Sequence, residues 1–422
     1  MRLGVFSQWY DPEPGPASLP GVYARALAAR GHDVRVLTGF PNYPTGRLYP
    51  GYKGRFPMTE VRDGLPVRRL PLYPNHGGSA VGRVLNYTSF ALSATVLASR
   101  DFAAVDAMWV YNSPATVGLP LLVHGRRHRT PYLLHVQDLW PESVLQSGML
   151  PGGVIGSAAE SALRALVART EAGASGIAVI SPSVEELLVD RGVPRGKITY
   201  VPNPTDESLF YPRTRRPELR RMFGSEQDFV ILYAGSIGHV QSLDSAIHAM
   251  SLLRDRLDIR LAFVGSGIAE ASLKALVSRL GLTSVTFHGR APQEEIPDLM
   301  AAADVQLVSL RDDPFLAVTT PSKLQSILAS SQPVLAALSG DGADLVRRSG
   351  SGVVSRPGDS EALAMAMLRL ADQDPEDRAV LGAAGRAYYH ENMSATKTAA
   401  VIEDIFQRMM GEPRVSTLPA QL

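Results

Sequence analysis

FVILYAGSIGHVQSLDSAIHAMSLL, residues 229–253, decides the architecture. Phe229–Ala234 is an unbroken apolar run, which reads as a strand buried on both faces of a sheet. Gly235 and Gly238 then mark a tight turn, and Leu243–Leu253 repeats its apolar residues at helical spacing. The same grammar returns one unit later, where the strand Leu261–Val264 runs into Gly265-Ser266-Gly267. Val285–His288, Val305–Ser309, Val334–Ala337 and Gly352–Ser355 continue the series. Strands of this kind alternating with helices predict a doubly wound α/β unit with a parallel sheet.

Upstream, a separate set obeys the same pattern. Arg2–Ser7 reads as a strand, Leu19–Arg30 as an amphipathic helix and Asp33–Thr38 as the next strand. Ala107–Val110, Tyr132–Val136, Ile177–Ile180 and Ile198–Val201 follow. Between the two sets, Pro202–Arg221 carries Pro202, Pro204, Pro212 and Pro217 among several arginines and reads as a linker region. The expected division is an N-terminal domain over 1–205 and a second over 206–390, with a helical segment at 391–410 and a loose, flexible tail at 411–422. The final helical pattern is Thr396–Met410. Two doubly wound units place a functional cleft outside the carboxyl ends of their strands.

The 422 residues suit two domains rather than one core. Lys and Arg number 42 against 41 Asp and Glu, which excludes the global cationic field of nucleic-acid binders. There are no cysteines, so disulfides, thiolate metal sites and a cysteine nucleophile are excluded, and a reducing cytoplasm fits. MRLGVFSQWYDPEP reaches its prolines before any signal-peptide core, and the apolar-leaning Tyr87–Ser99 is too short to cross a bilayer. The expectation is a cytoplasmic protein without a spanning segment; peripheral attachment stays open.

Chemistry concentrates at three places. In Thr319–Leu328, TTPSKLQSIL, Thr320 is placed to N-cap a helix whose first residue is Pro321. Free N–H groups at such a start attract an anion, and Lys323 adds a full charge that opposes the helix dipole unless an anion sits there. An ordinary capped helix with an exposed lysine reads the same way. The glycine turns at 235–238 and 265–267 let backbone N–H groups approach a phosphate, though tight turns use glycine without any ligand. Their spacing departs from G-x-G-x-x-G and they fall in the second unit, which disfavours a nicotinamide enzyme. In the first unit, HVQDLWPE ends a strand with His135, Asp138 and Glu142. His135 is a candidate to polarise a sugar hydroxyl, and Asp138 or Glu142 to orient an acceptor or assist proton transfer. The alternative is a strand-end histidine satisfied by a loop carbonyl. The loop from Trp9 to Pro20, with Gly15 among four prolines, either lines an acceptor pocket or is a rigid surface loop.

Taken together these segments resemble the family 4 glycosyltransferases of the GT-B fold. The likeness is greatest to the bacterial branch that builds capsular, O-antigen and colanic-acid-type polysaccharides, and it runs from Met1 to about Phe406. It is carried by SQWYDPEPGPAS, GHDVRVLTGFPNYPTGRLYPGY, HVQDLWPES, ITYVPNPTDESLF, YAGSIGHVQSLDSAI, FVGSG, VTFHGRAPQEEIPDLMAAADVQLVSL and PSKLQSILASSQPVLAAL, in that order. The resemblance implies two Rossmann-like domains facing a cleft, with the last helix crossing back onto the N-terminal domain. It implies a retaining transfer from a nucleotide-diphosphate sugar, UDP being the nucleotide expected, with no metal and no cofactor beyond that co-substrate. Gly235, Ser236 and Gly238 with Thr320, Ser322 and Lys323 would hold the diphosphate. Gly265, Gly267, Arg290 and Ser326 would line the base and ribose pocket. His135 would sit near the donor sugar, and Gly15, Asn42 and Tyr43 would face the acceptor.

Three departures stand out. Where many relatives carry two glutamates, this chain has Val318 and Ser326; a serine still hydrogen-bonds a ribose hydroxyl but offers no bidentate charge. Ser236 and His239 replace an expected Arg and Lys, leaving Lys323, with Arg290 and Arg311, as cationic contacts. Thr205 stands where a small or aromatic residue is usual. The acceptor class is left as a lipid-linked glycan at the inner membrane face or a secondary metabolite. The basic stretches His124–Arg129 and Arg213–Arg216 are candidates for anionic headgroups or simply solvated surface. A sugar-nucleotide-binding scaffold, a pseudo-glycosyltransferase and a nucleotide-sugar 2-epimerase are the alternatives.

Overall fold

A computed structural model describes residues 1–76, 79–146 and 153–411. The expected tail at 411–422 lies, beyond Gly411, outside the described residues. The chain forms two compact units, Met1–Pro202 together with the C-terminal segment from Ala395, and Asn203–Ser394.

The first unit is built on an eight-stranded sheet: β1 (Arg2–Phe6), β2 (Asp33–Gly39), β3 (Met58–Arg62), β4 (Leu65–Leu70), β5 (Ala107–Asn112), β6 (Tyr132–Val136), β7 (Gly176–Val179) and β8 (Ile198–Tyr200). Their order is β3-β4-β2-β1-β5-β6-β7-β8, parallel throughout except for the β3–β4 pair. Every residue of β5, β6 and β7 is buried, as a strand covered by helices on both faces demands. β3 and β4 were not among the expected strands. They form a hairpin closed by Asp63-Gly64, both at positive φ (52° and 77°), the conformation a two-residue turn needs.

The second unit has a six-stranded parallel sheet: β9 (Phe229–Ala234), β10 (Ile259–Val264), β11 (Val285–Phe287), β12 (Val305–Ser309), β13 (Val334–Ala337) and β14 (Gly352–Ser355), in the order β11-β10-β9-β12-β13-β14. The order reverses between β9 and β12, so a crevice opens at the carboxyl ends of those two strands.

Residues read from sequence as a linker are not free. Arg213 pairs with Asp298, and Arg215 and Arg220 both reach Asp304, with Arg220 fully buried. These pairs, of which Arg220–Asp304 is buried, draw the segment from Asn203 into the second unit. The last helix, Ala395–Met410, belongs to the first. Its Ala399, Ile402, Ile405 and Phe406 share a core with Val22, Tyr23 and Leu27 of the Leu19–Ala29 helix, and Arg30 pairs with Glu403 at the rim. Among the described residues no helix is long and apolar enough to cross a membrane.

Candidate active site

In the second unit the tips of three adjacent strands lock together through glycine. Gly235 N–H donates to the Val264 carbonyl at 2.8 Å, Gly265 N–H to Gly289 at 2.6 Å, and Ile237 N–H to Ser266 at 3.0 Å. Gly235 and Gly265 adopt φ of 141° and 144°, which L side chains rarely take. A Cβ on Gly265 would lie 1.8 Å from the Gly235 carbonyl oxygen, and one on Gly267 would lie 2.2 Å from that of Ile237. The glycines are therefore dictated by the close approach of two backbones. Ser236, Gly267 and Arg290 are exposed along this edge, and Arg290 has no carboxylate partner among the described residues.

Lys323 rises against the same turn. Its Nζ lies 3.5 Å from the centre of the Tyr233 ring, and a Cβ on Gly235 would come within 2.6 Å of that nitrogen. No carboxylate pairs with Lys323 among the described residues. Burial pushes its ammonium from the ordinary lysine value down to about 7. The aromatic face offers partial compensation to a cation, but the amine lacks an anion. Beneath it, between β9, β12 and the Lys323–Ala329 helix, is a cavity of about 130 Å³ bordered by Leu232, Gln306, Lys323 and Ser326.

The helix start differs from expectation. Helical structure begins at Lys323, Ser322 occupies the cap position without a side-chain hydrogen bond, and Leu324 N–H bonds the Pro321 carbonyl in a preceding tight turn. Thr320 is therefore not the cap. The helix is only seven residues long, so the positive end is mainly the lysine itself rather than a long dipole. One turn on, Ser326 Oγ lies 2.8 Å from Thr205 Oγ1; Thr205 N–H donates to the buried Tyr389 hydroxyl at 3.0 Å, and that hydroxyl donates to Glu207 at 2.9 Å. Val318 ends the short Pro314–Ala317 helix, and Arg311 is held by Asp313 at 2.7 Å.

In the first unit two expected side chains are corrected. His135 is fully buried; its Nε2 bonds the Val201 carbonyl at 3.1 Å, its ring packs against Tyr23 and Trp109, and burial lowers its pKa to about 4. It is a strand-end histidine whose Nε2 is satisfied by a loop carbonyl, neutral at physiological pH and without surface exposure, while its Nδ1 has no hydrogen-bond partner among the described residues. Asn42 is also fully buried, its amide bonding the Phe40 carbonyl at 3.0 Å and accepting from Asn86 at 3.2 Å. Asp138 is exposed just beyond β6 and accepts from Ser113 Oγ at 2.8 Å, while Glu142 is tied to Arg191. Gly15 is exposed at φ 66° and Tyr43 half-buried against Trp9.

The residue that sequence reading missed here is Glu13. It is buried, and its carboxylate accepts N–H bonds from Tyr10 (3.1 Å), Asn42 (2.7 Å) and Tyr43 (2.8 Å), so it fastens the Trp9–Pro20 loop to the 42–43 loop. Burial raises its pKa to about 7 although those bonds oppose the shift. An acid set between two prolines, Pro12 and Pro14, is the signal the sequence carries for it.

Two parallel α/β units, one with an unpaired lysine against a glycine-lined crevice at its strand ends, define a glycosyltransferase of the GT-B type that uses nucleotide sugars. Residues 16–204 match the glycosyl transferase 4-like domain and residues 228–373 the glycosyl transferases group 1. The chain belongs to the family 4 glycosyltransferases. It is 29% identical over 337 residues to the putative colanic acid biosynthesis glycosyl transferase WcaI of Escherichia coli, covering 78% of this chain and 81% of that one. It is 27% identical to the probable glycosyltransferase WbjE of Pseudomonas aeruginosa, covering 65% and 68%. Its fold matches that of Anabaena HepE in complex with UDP and glucose, with a TM-score of 0.67 and 18% identity over 96% of this chain and 98% of that one.

Proposed function

We propose that this enzyme is a retaining, metal-independent transferase that moves a sugar from a UDP-sugar to a hydroxyl of a lipid-linked glycan at the cytoplasmic membrane face. The observation that carries the reading is Lys323, a half-buried amine with no anionic partner, pressed against the Gly235 turn at the strand-order switch point. A departing diphosphate supplies the missing anion, and a preorganised cation stabilises that leaving group more as its charge develops. Ser236, Gly238, Thr320 and Ser322 would flank the phosphates, and Gly265, Gly267, Arg290 and Ser326 the nucleoside. Lys323 takes the charge-neutralising part that a metal ion plays in other transferases.

Among the described residues no carboxylate is paired with Lys323 to act as a nucleophile beside it, which supports front-face attack. The bond from the anomeric carbon to phosphate oxygen breaks, the acceptor oxygen bonds the same face, and its proton passes to the leaving phosphate. Asp138, Gly15 and Tyr43 are the acceptor-side groups, and His135 acts only by holding the loop at Val201. UDP is supported by the nucleotide bound in HepE, and a lipid-linked glycan by the polysaccharide pathways of the relatives. The test is turnover of UDP-, GDP-, dTDP- and ADP-sugars with isolated lipid-linked acceptor, followed by NMR of the new anomeric centre. Turnover of the UDP donor with the donor's anomeric configuration kept is expected. An inverted product removes retention, and selective use of another nucleotide removes UDP.

A further inference from the structure

The first unit has a switch point of its own. Its strand order reverses between β1 and β5, which opens a crevice at the carboxyl ends of those strands. Aromatic rings gather there. Between ring centres, His76 lies 4.6 Å from Tyr43 and 5.7 Å from Trp9, and Trp9 lies 6.3 Å from Tyr87. Trp9 is buried, whereas Tyr43, His76 and Tyr87 keep part of their surface open. A chain of buried amides fixes the backbones that carry them. Gln8 Nε2 donates to Asn86 Oδ1 at 2.6 Å, and Asn86 Nδ2 donates to Asn42 Oδ1 at 3.2 Å and to the Tyr73 carbonyl at 2.6 Å.

Two opposite charges stand at this cluster without a counter-ion. Arg83 sits one turn before Tyr87 on the Ala80–Leu97 helix, which contains no acid. It has no carboxylate partner among the described residues, and its Nε is buried there without a hydrogen bond. Asp138 accepts from Ser113 Oγ at 2.8 Å but pairs with no Lys or Arg among the described residues. Both charges act on one ring: burial raises the Tyr87 pKa, Arg83 opposes that shift and Asp138 adds to it. Burial, and after it Arg83, lowers the pKa of His76, leaving a neutral imidazole whose Nδ1 has no partner among the described residues. A cluster that served only the fold would pair Arg83 and Asp138 with each other or with neighbours. A cation near a helix start also opposes the dipole, a local cost that an anionic ligand removes.

We propose that this crevice selects an acidic glycosyl residue as the acceptor. The C–H face of a pyranose packs on Tyr43 and Tyr87, Arg83 and His76 take a carboxylate or phosphate borne on that ring, and Asp138 faces its hydroxyls. Aromatic walls with a few convergent polar groups are the composition of a small-ligand site. The guanidinium fork matches either anion with two parallel hydrogen bonds. The inference rests on the reading that the enzyme glycosylates a glycan hydroxyl, and narrows that glycan to an anionic one.

The test is ligand-observed NMR of the whole chain without donor. The probes are methyl hexosides of gluco, galacto and manno configuration, the matching hexuronides and hexoside 6-phosphates, and the hexose 1-phosphates. Hexuronides or 6-phosphates should bind at least about 10-fold more tightly than the neutral hexosides, and whichever leads identifies the anion. Arg83→Gln should remove that preference and leave the affinity for neutral hexosides unchanged. Arg83→Lys should keep part of it, because lysine retains the charge but not the fork. No binding of any probe, equal affinity for neutral and acidic probes, or a preference that survives in Arg83→Gln would overturn the inference. So would a preference confined to the 1-phosphates, which puts the anion at the anomeric position, where a lipid carrier has it. UDP-glucose binding by calorimetry on the same sample reads the donor site separately, and its absence would strike the transferase reading whatever the glycans do.

Discussion

Replacing Lys323 by methionine keeps the unbranched stem to Cε and removes the charged nitrogen. In the free enzyme the amine titrates at about 7 because burial disfavours its charged form. A bound diphosphate returns it toward the ordinary value of about 10.4. The bound state therefore holds the proton more tightly, and donor binding takes one up. Affinity is full well below pH 7 and falls as pH rises through 7, in proportion to the protonated fraction of the free amine. That fraction is about three quarters at pH 6.5 and about 3% at pH 8.5, so the dissociation constant should rise about 25-fold between them. A charge-assisted hydrogen bond contributes about 1.5–3 kcal/mol, so Lys323→Met should weaken binding about 10- to 150-fold at pH 6.5 and abolish the pH dependence. The assay is calorimetric titration with UDP-glucose, whose two phosphates stay ionised across this range, in buffers of different ionisation enthalpy. Near pH 8 the wild type should absorb about 0.9 proton per donor bound and the variant none. Wild-type affinity that is independent of pH and equal to that of Lys323→Met would refute the assignment of the diphosphate to this lysine.

The glycine turns can be tested by contrast. Gly265→Ala forces a methyl to within 1.8 Å of the Gly235 oxygen and should cost at least about 3 kcal/mol in urea unfolding together with donor binding. Gly289→Ala, at φ 71° with nothing within 4 Å of the added Cβ, should cost only about 1 kcal/mol. Glu13 has a folded pKa near 7, above its unfolded value, so its contribution to stability is full below about pH 4.5 and is lost as pH rises to about 7. Glu13→Gln should flatten that part of the stability–pH curve, read from denaturant midpoints, and loosen the 42–43 loop in hydrogen exchange.

The interior strands were legible because they are buried on both faces: β6, β9, β12 and β13 begin and end where their apolar runs do. The β3–β4 hairpin was overlooked because β3 alternates half-buried and exposed residues and β4 carries two arginines, although Asp63-Gly64 is a hairpin signal in its own right. Lys323 was readable because a cation at a helix start is locally costly. Its seat on the Tyr233 ring, 90 positions earlier in the chain, was not, because only the sheet order brings the two together. The same holds for Glu13, whose partners at Asn42 and Tyr43 lie 29 and 30 residues away. His135 and Asn42 show the converse. Polar residues at strand ends point toward a cleft on average, but here the Phe40 carbonyl and the Asn86 amide use the polar atoms of Asn42, and the Val201 carbonyl takes Nε2 of the fully buried His135.

Ser326 stands where the family resemblance implies a glutamate facing the ribose, and its hydroxyl has a partner of its own. Its hydroxyl meets that of Thr205, which is itself positioned by the Tyr389 hydroxyl, and Tyr389 in turn is held by Glu207. The unusual residue at 205 and the unusual residue at 326 are thus one feature, a hydroxyl pair separated by 121 residues in sequence. A pair of neutral hydroxyls gives a ribose diol weaker hydrogen bonds than a carboxylate does, since charge-assisted bonds are about twice as strong. On the proposed donor site, with Ser236 and His239 where the resemblance leads one to expect cations, the donor's charge would fall chiefly to Lys323. A site built this way concentrates its electrostatics at the leaving group instead of spreading it along the nucleotide. That distribution favours the interaction which strengthens as the bond to the sugar breaks over those that merely hold the donor.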